Sequence, residues 1–303
     1  MIDVTLLGTG GMLPLPQRWL SSVLLGVNGE RVLFDCGEGT QITWRERGLG
    51  FRSLAAICIT HTHADHIAGL PGLLHTVANS GRIEPIALFG PAGTANVVCG
   101  LRAIAPHLPF SLSVTELDGG ESFGLPGGLV GSCAAGEHGL PVLGYRVDLA
   151  RKPRFLPERA NALGVPVSLW RRLQEGERVT VNGIAIDPAQ VLGPPRRGLS
   201  VAYITDTRPT AALTELVNGV DLLVCEGTYG DDADGEKAKT NRHMTFREAA
   251  RLASGAEVSR LWITHFSPSV LNPSVFIQNA TEEFAGAVIG YDGLAATLTF
   301  SED

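Results

Sequence analysis

Four residues that can bind a metal ion lie within six positions of one another: His61, His63, Asp65 and His66. Imidazole and carboxylate groups are the ligands that zinc-like cations accept, at roughly 2.0–2.2 Å. They directly follow an apolar run at residues 54–60, which is typical of a buried strand. Side chains alternate along an extended chain, so His61 and His63 should face the same side. A polar surface loop is the simpler alternative, but clustered ligands at a strand end favour a metal site.

This His-x-His-x-Asp-His pattern resembles the metal-binding motif of the metallo-β-lactamase superfamily, whose members are binuclear metallohydrolases. The resemblance implies that the first two histidines bind one metal and that the aspartate and the last histidine bind the other. It also implies three further ligands at the ends of later strands, and the chain offers His138, Asp206 and His265. Taken singly, each could instead be a hydrogen-bonded buried histidine or an aspartate that caps a turn. Their order along the chain favours metal ligands.

Longer stretches of the sequence resemble a narrower family, ribonuclease Z in its short form. The most specific are Asp-Cys-Gly-Glu-Gly-Thr-Gln at residues 35–41 and Leu-Gly-Tyr-Arg at residues 143–146. The resemblance covers almost the whole chain. It implies a metal-dependent endoribonuclease that removes the 3′ trailer of precursor tRNA by hydrolysis at the discriminator nucleotide. The tRNA would keep a 3′-hydroxyl, and the protein would be a homodimer.

The resemblance also implies a role for each candidate residue. One metal ion would be bound by His61, His63, His138 and Asp206, and the other by Asp65, His66, Asp206 and His265. Zn²⁺ is expected at both positions, although these ligands also suit Mn²⁺ or iron. Asp65 would in addition orient or deprotonate the attacking water. Asp35 would not bind a metal itself but would orient one of the residues that do.

Glu226 and His243 resemble the Glu–His pair of this family, in which the imidazolium protonates the leaving 3′-oxygen. A neighbouring carboxylate raises the pKa of an imidazole and fixes its tautomer, which suits a general acid near neutral pH. The alternatives are a surface salt bridge for Glu226 and a place beside a helix N-cap for His243. That helix is predicted to begin at Thr245, which stands at capping-box spacing from Glu248.

A basic segment interrupts this acidic chain. The whole chain has a net charge of −7, whereas residues 151–198 contain nine basic and four acidic residues, a net charge of +5. Such a segment predicts contact with a polyanion, and a solvated surface insertion is the alternative. Residues 176–186 predict a β-hairpin with an Asn-Gly turn. Because the tRNA-gripping arm of the family lies at this place, we expect residues 151–198 to be an arm inserted into a single domain of residues 1–303.

Composition and patterning agree with an α/β enzyme of the cytoplasm. Apolar residues make up 44% of the chain, which is ample for a large core. No apolar run approaches the roughly 20 residues of a membrane span, and the five cysteines include no C-x-x-C pair. Strand and helix patterns alternate in two halves, which predicts an αββα sandwich of two mixed β-sheets flanked by helices. The Gly- and Pro-rich stretch at residues 119–128 predicts a loop.

Two segments depart from the usual sequence of the ribonuclease Z family. Residues 167–170, Val-Ser-Leu-Trp, replace a Gly-Pro pair, and residues 268–270, Pro-Ser-Val, replace Ser-Arg-Tyr. Two other functions therefore stay open. One is a hydrolase of small substrates on the same fold, such as a phosphodiesterase or a lactonase. The other is a paralogue that binds RNA without cutting it, which the complete set of metal ligands argues against.

Overall fold

The structure is a computed structural model that describes residues 1–301 of the 303-residue chain. Contacts within the backbone divide it into two compact units. The first unit comprises Met1–Leu149 and Ser200–Thr299. The second unit comprises Ala150–Leu199 together with Phe300 and Ser301.

One seven-stranded sheet contains the N-terminal strands. From edge to edge its strands are β16 (Ala295–Leu298), β1 (Ile2–Gly8), β2 (Ser22–Val27), β3 (Glu30–Phe34), β4 (Leu54–Cys58), β5 (Ile86–Pro91) and β6 (Leu112–Leu117). Strands β16 to β3 are antiparallel to their neighbours, whereas β3 to β6 are parallel, so the sheet is mixed. Strand β4 is completely buried, as its apolar sequence predicts.

The second sheet also has seven strands. Their order is β15 (Ala287–Ile289), β14 (Leu261–Thr264), β13 (Leu222–Glu226), β12 (Arg196–Ile204), β9 (Leu143–Arg151), β8 (Leu129–Ala135) and β7 (Ser122–Leu125). The prediction of a loop at residues 119–128 was wrong, because β7 lies within it. Phe123 packs against Phe89 and Tyr145, with ring centroids 4.5 Å and 6.2 Å apart. These tertiary contacts outweigh the local preference of glycine and proline for turns.

Helices pack against the two sheets in separate cores. Trp44, Leu70 and Leu73 pack on the first sheet, and Leu213 and Phe246 pack on the second. The eleven α-helices are α1 (Thr40–Glu46), α2 (Ala64–Ile67), α3 (Leu70–Asn79), α4 (Thr94–Leu101), α5 (Pro157–Ala162), α6 (Val167–Gln174), α7 (Pro188–Val191), α8 (Ala211–Leu216), α9 (Gly235–Asn241), α10 (Phe246–Gly255) and α11 (Ile277–Thr281), counted over residues 1–301. The predicted capping box of Thr245 and Glu248 begins α10.

The two sheets meet through aromatic side chains. The ring of Phe34 on β3 lies 5.8 Å from that of Tyr145 on β9 and 6.1 Å from that of Tyr203 on β12. The hydroxyl of Tyr145 donates a hydrogen bond of 2.8 Å to the carbonyl oxygen of Ile59, just beyond β4. Helices outside and sheets inside form the αββα sandwich of two mixed sheets, so the predicted fold is confirmed.

The second unit has a small core of its own. Its helices α5, α6 and α7 surround a hairpin of β10 (Val179–Val181) and β11 (Ile184–Ile186), which confirms the predicted hairpin. Asn182 and Gly183 at the turn have φ angles of 48° and 82°, which a two-residue type I′ turn requires. The core residues are Ala160, Val165, Leu173, Val179, Ile186 and Val191. Across residues 1–301, the helices are too short or too polar to span a bilayer.

Candidate metal centre

Most of the candidate residues follow the carboxyl ends of strands. His61 lies beyond β4, Asp206 beyond β12 and His265 beyond β14, whereas Glu226 is the last residue of β13. Strands β12, β13 and β14 are parallel, so their carboxyl ends meet at one edge of the second sheet. The edge of a parallel sheet is where polar side chains from several strands converge.

Three residues that follow strand ends, one in the first sheet and two in the second, have left-handed backbone conformations. The φ angles are 54° at Asp35, 49° at Asp206 and 58° at His265. A side chain with a Cβ seldom adopts this conformation, and where it does the strain is typical of functional sites. At each of these residues the backbone turns sharply as the strand ends.

The first group of ligand atoms contains His61, His63, His138 and Asp206, whose four atoms lie within 4.8 Å of one another. Nδ1 of His63 is 2.9 Å from Nε2 of His61 and 3.2 Å from Nε2 of His138. Oδ2 of Asp206 is 3.7 Å from Nε2 of His61 and 3.9 Å from Nε2 of His138. His63 therefore presents Nδ1, whereas the other two histidines present Nε2.

The second group contains Asp65, His66, Asp206 and His265. Nε2 of His66 lies 3.2 Å from Nε2 of His265. Oδ1 of Asp206 is 3.2 Å from Nε2 of His66 and 2.9 Å from Nε2 of His265. Oδ2 of Asp65 is 3.5 Å from each of these two nitrogens. Asp206 belongs to both groups, through Oδ2 in the first and Oδ1 in the second. The seven predicted metal ligands thus come together in two sets of four that share one carboxylate.

Hydrogen bonds on the far side of the rings orient these histidines. Nδ1 of His66 lies 2.7 Å from Oδ2 of Asp35, and Nδ1 of His61 lies 3.2 Å from Oγ1 of Thr60. Asp35 is completely buried and also accepts hydrogen bonds from Thr60 and from the hydroxyl of Tyr203. A proton on Nδ1 leaves the lone pair of Nε2 free to bind a metal, so these bonds orient ligands.

The donor set fits metal ions better than it fits hydrogen bonds. Burial lowers the pKa of His61 and that of His138, so each imidazole is neutral and carries a single proton. Their Nδ1 atoms lie near Thr60 Oγ1 and the carbonyl oxygen of Arg242, which are acceptors for those protons. The Nε2 lone pairs of His61 and His138 then converge near Nδ1 of His63, an arrangement that a divalent cation satisfies.

The charges of the second group point to the same conclusion. Burial by itself would raise the pKa of the Asp206 carboxyl, but the imidazoles of His265, His66 and His61 hold that pKa well below its usual range. Burial opposes charge on His66, yet Asp206 and Asp35 raise its pKa well above the usual value. The buried carboxylates thus need positive charge beside them, which bound metal ions supply.

Glu226 and His243 lie next to these groups. Glu226 is completely buried, so the alternative of a surface salt bridge was wrong. Its Oε1 is 3.3 Å from Nδ1 of His243 and accepts a 2.6 Å hydrogen bond from the backbone of Thr207. Burial opposes protonation of His243, but the carboxylate of Glu226 raises its pKa. The pair has the geometry of a carboxylate-supported imidazolium.

Several residues at the site were not predicted as functional. The backbone N–H of Met12 donates a 2.7 Å hydrogen bond to Oδ2 of Asp65. A Cβ at the preceding residue, Gly11, would lie 2.5 Å from the ring of His265, so only glycine fits there. Arg208 donates hydrogen bonds to the carbonyl oxygen of His243 and to Glu248. In the sequence, the Gly10-Gly11 pair was the signal that could have indicated this segment. A backbone that passes close to the side chains of a site needs glycine, because a Cβ would collide with them.

Comparisons with known proteins agree with this geometry. A family model described as Anti-Pycsar protein Apyc1 matches residues 2–97, and one described as a beta-lactamase superfamily domain matches residues 158–266. The ribonuclease Z of Agathobacter rectalis is 45% identical over 303 residues, which cover 100% of both chains. The ribonuclease Z of Clostridium kluyveri is 44% identical with the same coverage.

A solved structure provides independent support. The crystal structure of human tRNase Z, short form, superimposes with a TM-score of 0.71 and 26% sequence identity, and covers 98% of this chain and 100% of that one. Sequence identities of 45% and 44% over 303 residues are well above the level at which two proteins belong to one family. The chain therefore belongs to the ribonuclease Z family, with a metal-binding site on the metallo-β-lactamase fold.

Proposed function

We infer that this chain is a hydrolytic endoribonuclease that processes the 3′ end of precursor tRNA. The observation that carries the inference is the full-length identity with ribonuclease Z, found together with a complete set of converging metal ligands. The cut would fall at the discriminator nucleotide and leave a 3′-hydroxyl on the tRNA. A paralogue that binds RNA without cutting it would have no need of so many buried, mutually oriented ligands.

We assign two divalent metal ions to the site, most simply Zn²⁺ with Mn²⁺ as the other candidate. Each four-ligand group offers imidazole and carboxylate atoms, and Asp206 is shared between them. When bound there, two such ions supply Lewis acidity, which lowers the pKa of a water molecule and neutralises charge that develops on the phosphate.

The residues of the chain supply the proton transfers. Asp65 orients the attacking water or takes its proton, and the backbone N–H of Met12 holds the carboxylate in place. His243 donates a proton to the 3′-oxygen that leaves the phosphorus, and Glu226 stabilises the imidazolium that does so. The 3′-oxygen stays on the tRNA as a hydroxyl, and the phosphate leaves with the trailer.

We propose residues 151–198 as the tRNA-binding arm. Several of its arginines pair with acids at the surface, as Arg171 does with Glu175 and Arg178 with Asp187. Arg154 and Arg159 are exposed and form no ion pair with any residue in the range 1–301. Exposed cations without a protein partner are suited to the phosphates of a nucleic acid.

We further propose that the protein is a homodimer of the cytoplasm. The dimer rests on the family resemblance, and sedimentation analysis of the metal-loaded protein tests it. The location rests on the five cysteines, all of which are free thiols. Free thiols are typical of a reducing compartment.

Cleavage of a 3′-labelled precursor tRNA by the metal-loaded protein tests the proposed function. A single cut next to the discriminator is expected, and Asp65→Ala should abolish it. If the protein hydrolysed a small phosphodiester in an Asp65-dependent manner but left precursor tRNA intact, a different substrate would be indicated. Tight RNA binding without turnover would instead support the paralogue.

A further inference from the structure

The hydroxyl of Thr228 lies between the second metal-ligand group and the Glu226–His243 pair. Thr228 is fully buried just beyond the end of β13. Its Oγ1 is 2.7 Å from Oε2 of Glu226, 3.0 Å from Nδ1 of His265 and 3.2 Å from Nδ1 of His243. A hydroxyl has one proton to donate and two lone pairs that accept, so these three contacts use its whole capacity.

The partners fix the direction of each hydrogen bond. Oε1 of Glu226 accepts a hydrogen bond of 2.6 Å from the backbone N–H of Thr207, and Oε2 accepts one of 3.0 Å from the backbone N–H of Met244, as expected of an ionised carboxylate. An ionised carboxylate can only accept, so Thr228 donates its proton to Glu226. Both imidazoles must then donate to Thr228 through Nδ1–H.

These directions decide which ring nitrogen each histidine has available. With its proton on Nδ1, His265 has Nε2 available to bind a metal ion together with Oδ1 of Asp206, which is 2.9 Å away. His243 also has its Nδ1 engaged, by Thr228 and by Glu226. Its Nε2 is thus the atom left to carry a proton to the substrate.

The other sheet contains a related arrangement. Oγ1 of Thr60 lies 3.2 Å from Nδ1 of His61 and donates to Oδ2 of Asp35 at 2.8 Å. At both places a threonine hydroxyl stands between a metal-facing histidine and a buried acid. Thr228 differs because it contacts a second histidine, and that histidine belongs to the proton-transfer pair.

We propose that Thr228 is a positioning residue that sets the tautomer of His265 for metal binding and that of His243 for proton transfer. One hydroxyl thereby couples the metal centre to the group that protonates the leaving oxygen. The part that concerns His243 rests on the proposed function, whereas the part that concerns His265 does not.

Thr228→Val and Thr228→Ser in the full-length, zinc-loaded protein test this coupling. Valine keeps the shape of threonine without its hydroxyl. It should lower kcat for precursor tRNA by about 10²-fold with little change in KM, as expected when general acid catalysis is impaired. It should also weaken zinc binding by about 10–100-fold, measured by competition with a chromophoric chelator. Thr228→Ser should stay within about threefold of the wild type in both.

Nitrogen-15 NMR of the histidine rings gives a readout that does not depend on activity. Two Nδ1–H signals, from His265 and His243, should be present in the wild type and in Thr228→Ser. Thr228→Val should lose or shift both signals together. A shift at one histidine alone would overturn the coupling.

Thr264→Val is the matched control. Thr264 precedes His265 in the chain, and its hydroxyl is buried and forms no hydrogen bond within residues 1–301. The same chemical change there should leave zinc affinity and kcat unchanged. A Thr228→Val variant with kcat and zinc affinity within threefold of the wild type would overturn the proposal, and so would a Thr228→Ser variant as impaired as Thr228→Val.

If Thr228→Val does not fold, Thr228→Ala is judged by the same criteria. If the wild type itself fails to cut precursor tRNA, the proposed function fails separately. Zinc competition and the NMR signals then still decide whether Thr228 orients both histidines.

Discussion

The metal centre and the second unit use charge in opposite ways. At the metal centre Asp35, Asp206 and Glu226 are almost completely buried. Their carboxylates contact the hydroxyl of Tyr203, the imidazole of His265 and the backbone N–H of Thr207, respectively. In the second unit the charged side chains lie at the surface, where Arg172 pairs with Glu177 while both stay more than half exposed. Buried charges interact strongly and tolerate little change, whereas exposed pairs contribute about 0–1 kcal/mol.

This difference indicates that the metal centre performs the chemistry, whereas the second unit attracts the substrate. Chemistry at a phosphate needs groups held within a fraction of an ångström, which only a buried hydrogen-bond network provides. Attraction of a polyanion needs net positive charge but not a fixed geometry. Substitutions at the metal centre should therefore change kcat, whereas substitutions on the surface of the second unit should change KM.

The largest effect is expected from Asp206→Asn. This carboxylate belongs to both ligand groups, so its loss should remove metal binding at both and lower cleavage by about 10³-fold or more. Single-turnover cleavage and the metal content of the purified protein measure the effect. Asp118→Asn, at an exposed position, is the control. Two bound metals and near-normal cleavage in Asp206→Asn would show that the shared carboxylate is dispensable.

Leu173→Ala should destabilise the second unit alone. Leu173 is fully buried in the small core of that unit, and removing such a side chain costs about 2–5 kcal/mol. Hydrogen exchange should accelerate across β10 and β11, while metal content and hydrolysis of a small phosphodiester stay normal. Leu163→Ala is the control, because Leu163 is 39% exposed. Equal acceleration in β13 and β14 would contradict the independence of the two units.

Replacing Arg154 and Arg159 together by glutamine should weaken tRNA binding through charge. KM for precursor tRNA should rise about tenfold at physiological salt, and the dependence of log affinity on log salt should become shallower by roughly 1–2. Hydrolysis of a small phosphodiester should not change. Arg171→Gln, which removes an arginine already paired with Glu175, should have a smaller effect. A reduced kcat on both substrates would argue against a role in RNA binding.

The smallest effect is expected at Asp292, which anchors Thr9 and the backbone of Trp19. Burial raises the pKa of this carboxyl to about 6, despite those hydrogen bonds. The folded state therefore keeps a proton that the unfolded chain loses near pH 4. As pH rises from about 4 to about 6, the wild type should lose about 1–3 kcal/mol of unfolding free energy relative to Asp292→Asn.

Urea titrations at a series of pH values measure the difference in stability between Asp292→Asn and the wild type. Asp187→Asn, at an exposed position of the second unit, controls for the loss of one negative charge. Parallel stability curves for the wild type and Asp292→Asn would show that burial at this position does not disfavour the ionised form.

The sequence alone predicted the candidate metal ligands and determined much of the scaffold. The spacing of His61, His63, Asp65 and His66 predicted four of the seven candidate ligands, since local alternation and a following turn place these side chains. The Asn182-Gly183 turn and the capping box of Thr245 were predicted for a similar reason. Each depends on interactions between residues that are close in the chain.

Only the tertiary structure decided how distant residues converge. Nε2 of His66 and Nε2 of His265 are 3.2 Å apart although the residues are separated by 199 positions. The burial of Glu226, the hydrogen bond from Met12 to Asp65 and the three contacts of Thr228 depend in the same way on which strand ends meet. A threonine after a strand looks ordinary in sequence, and packing alone decides whether its hydroxyl meets solvent or two histidines and a carboxylate.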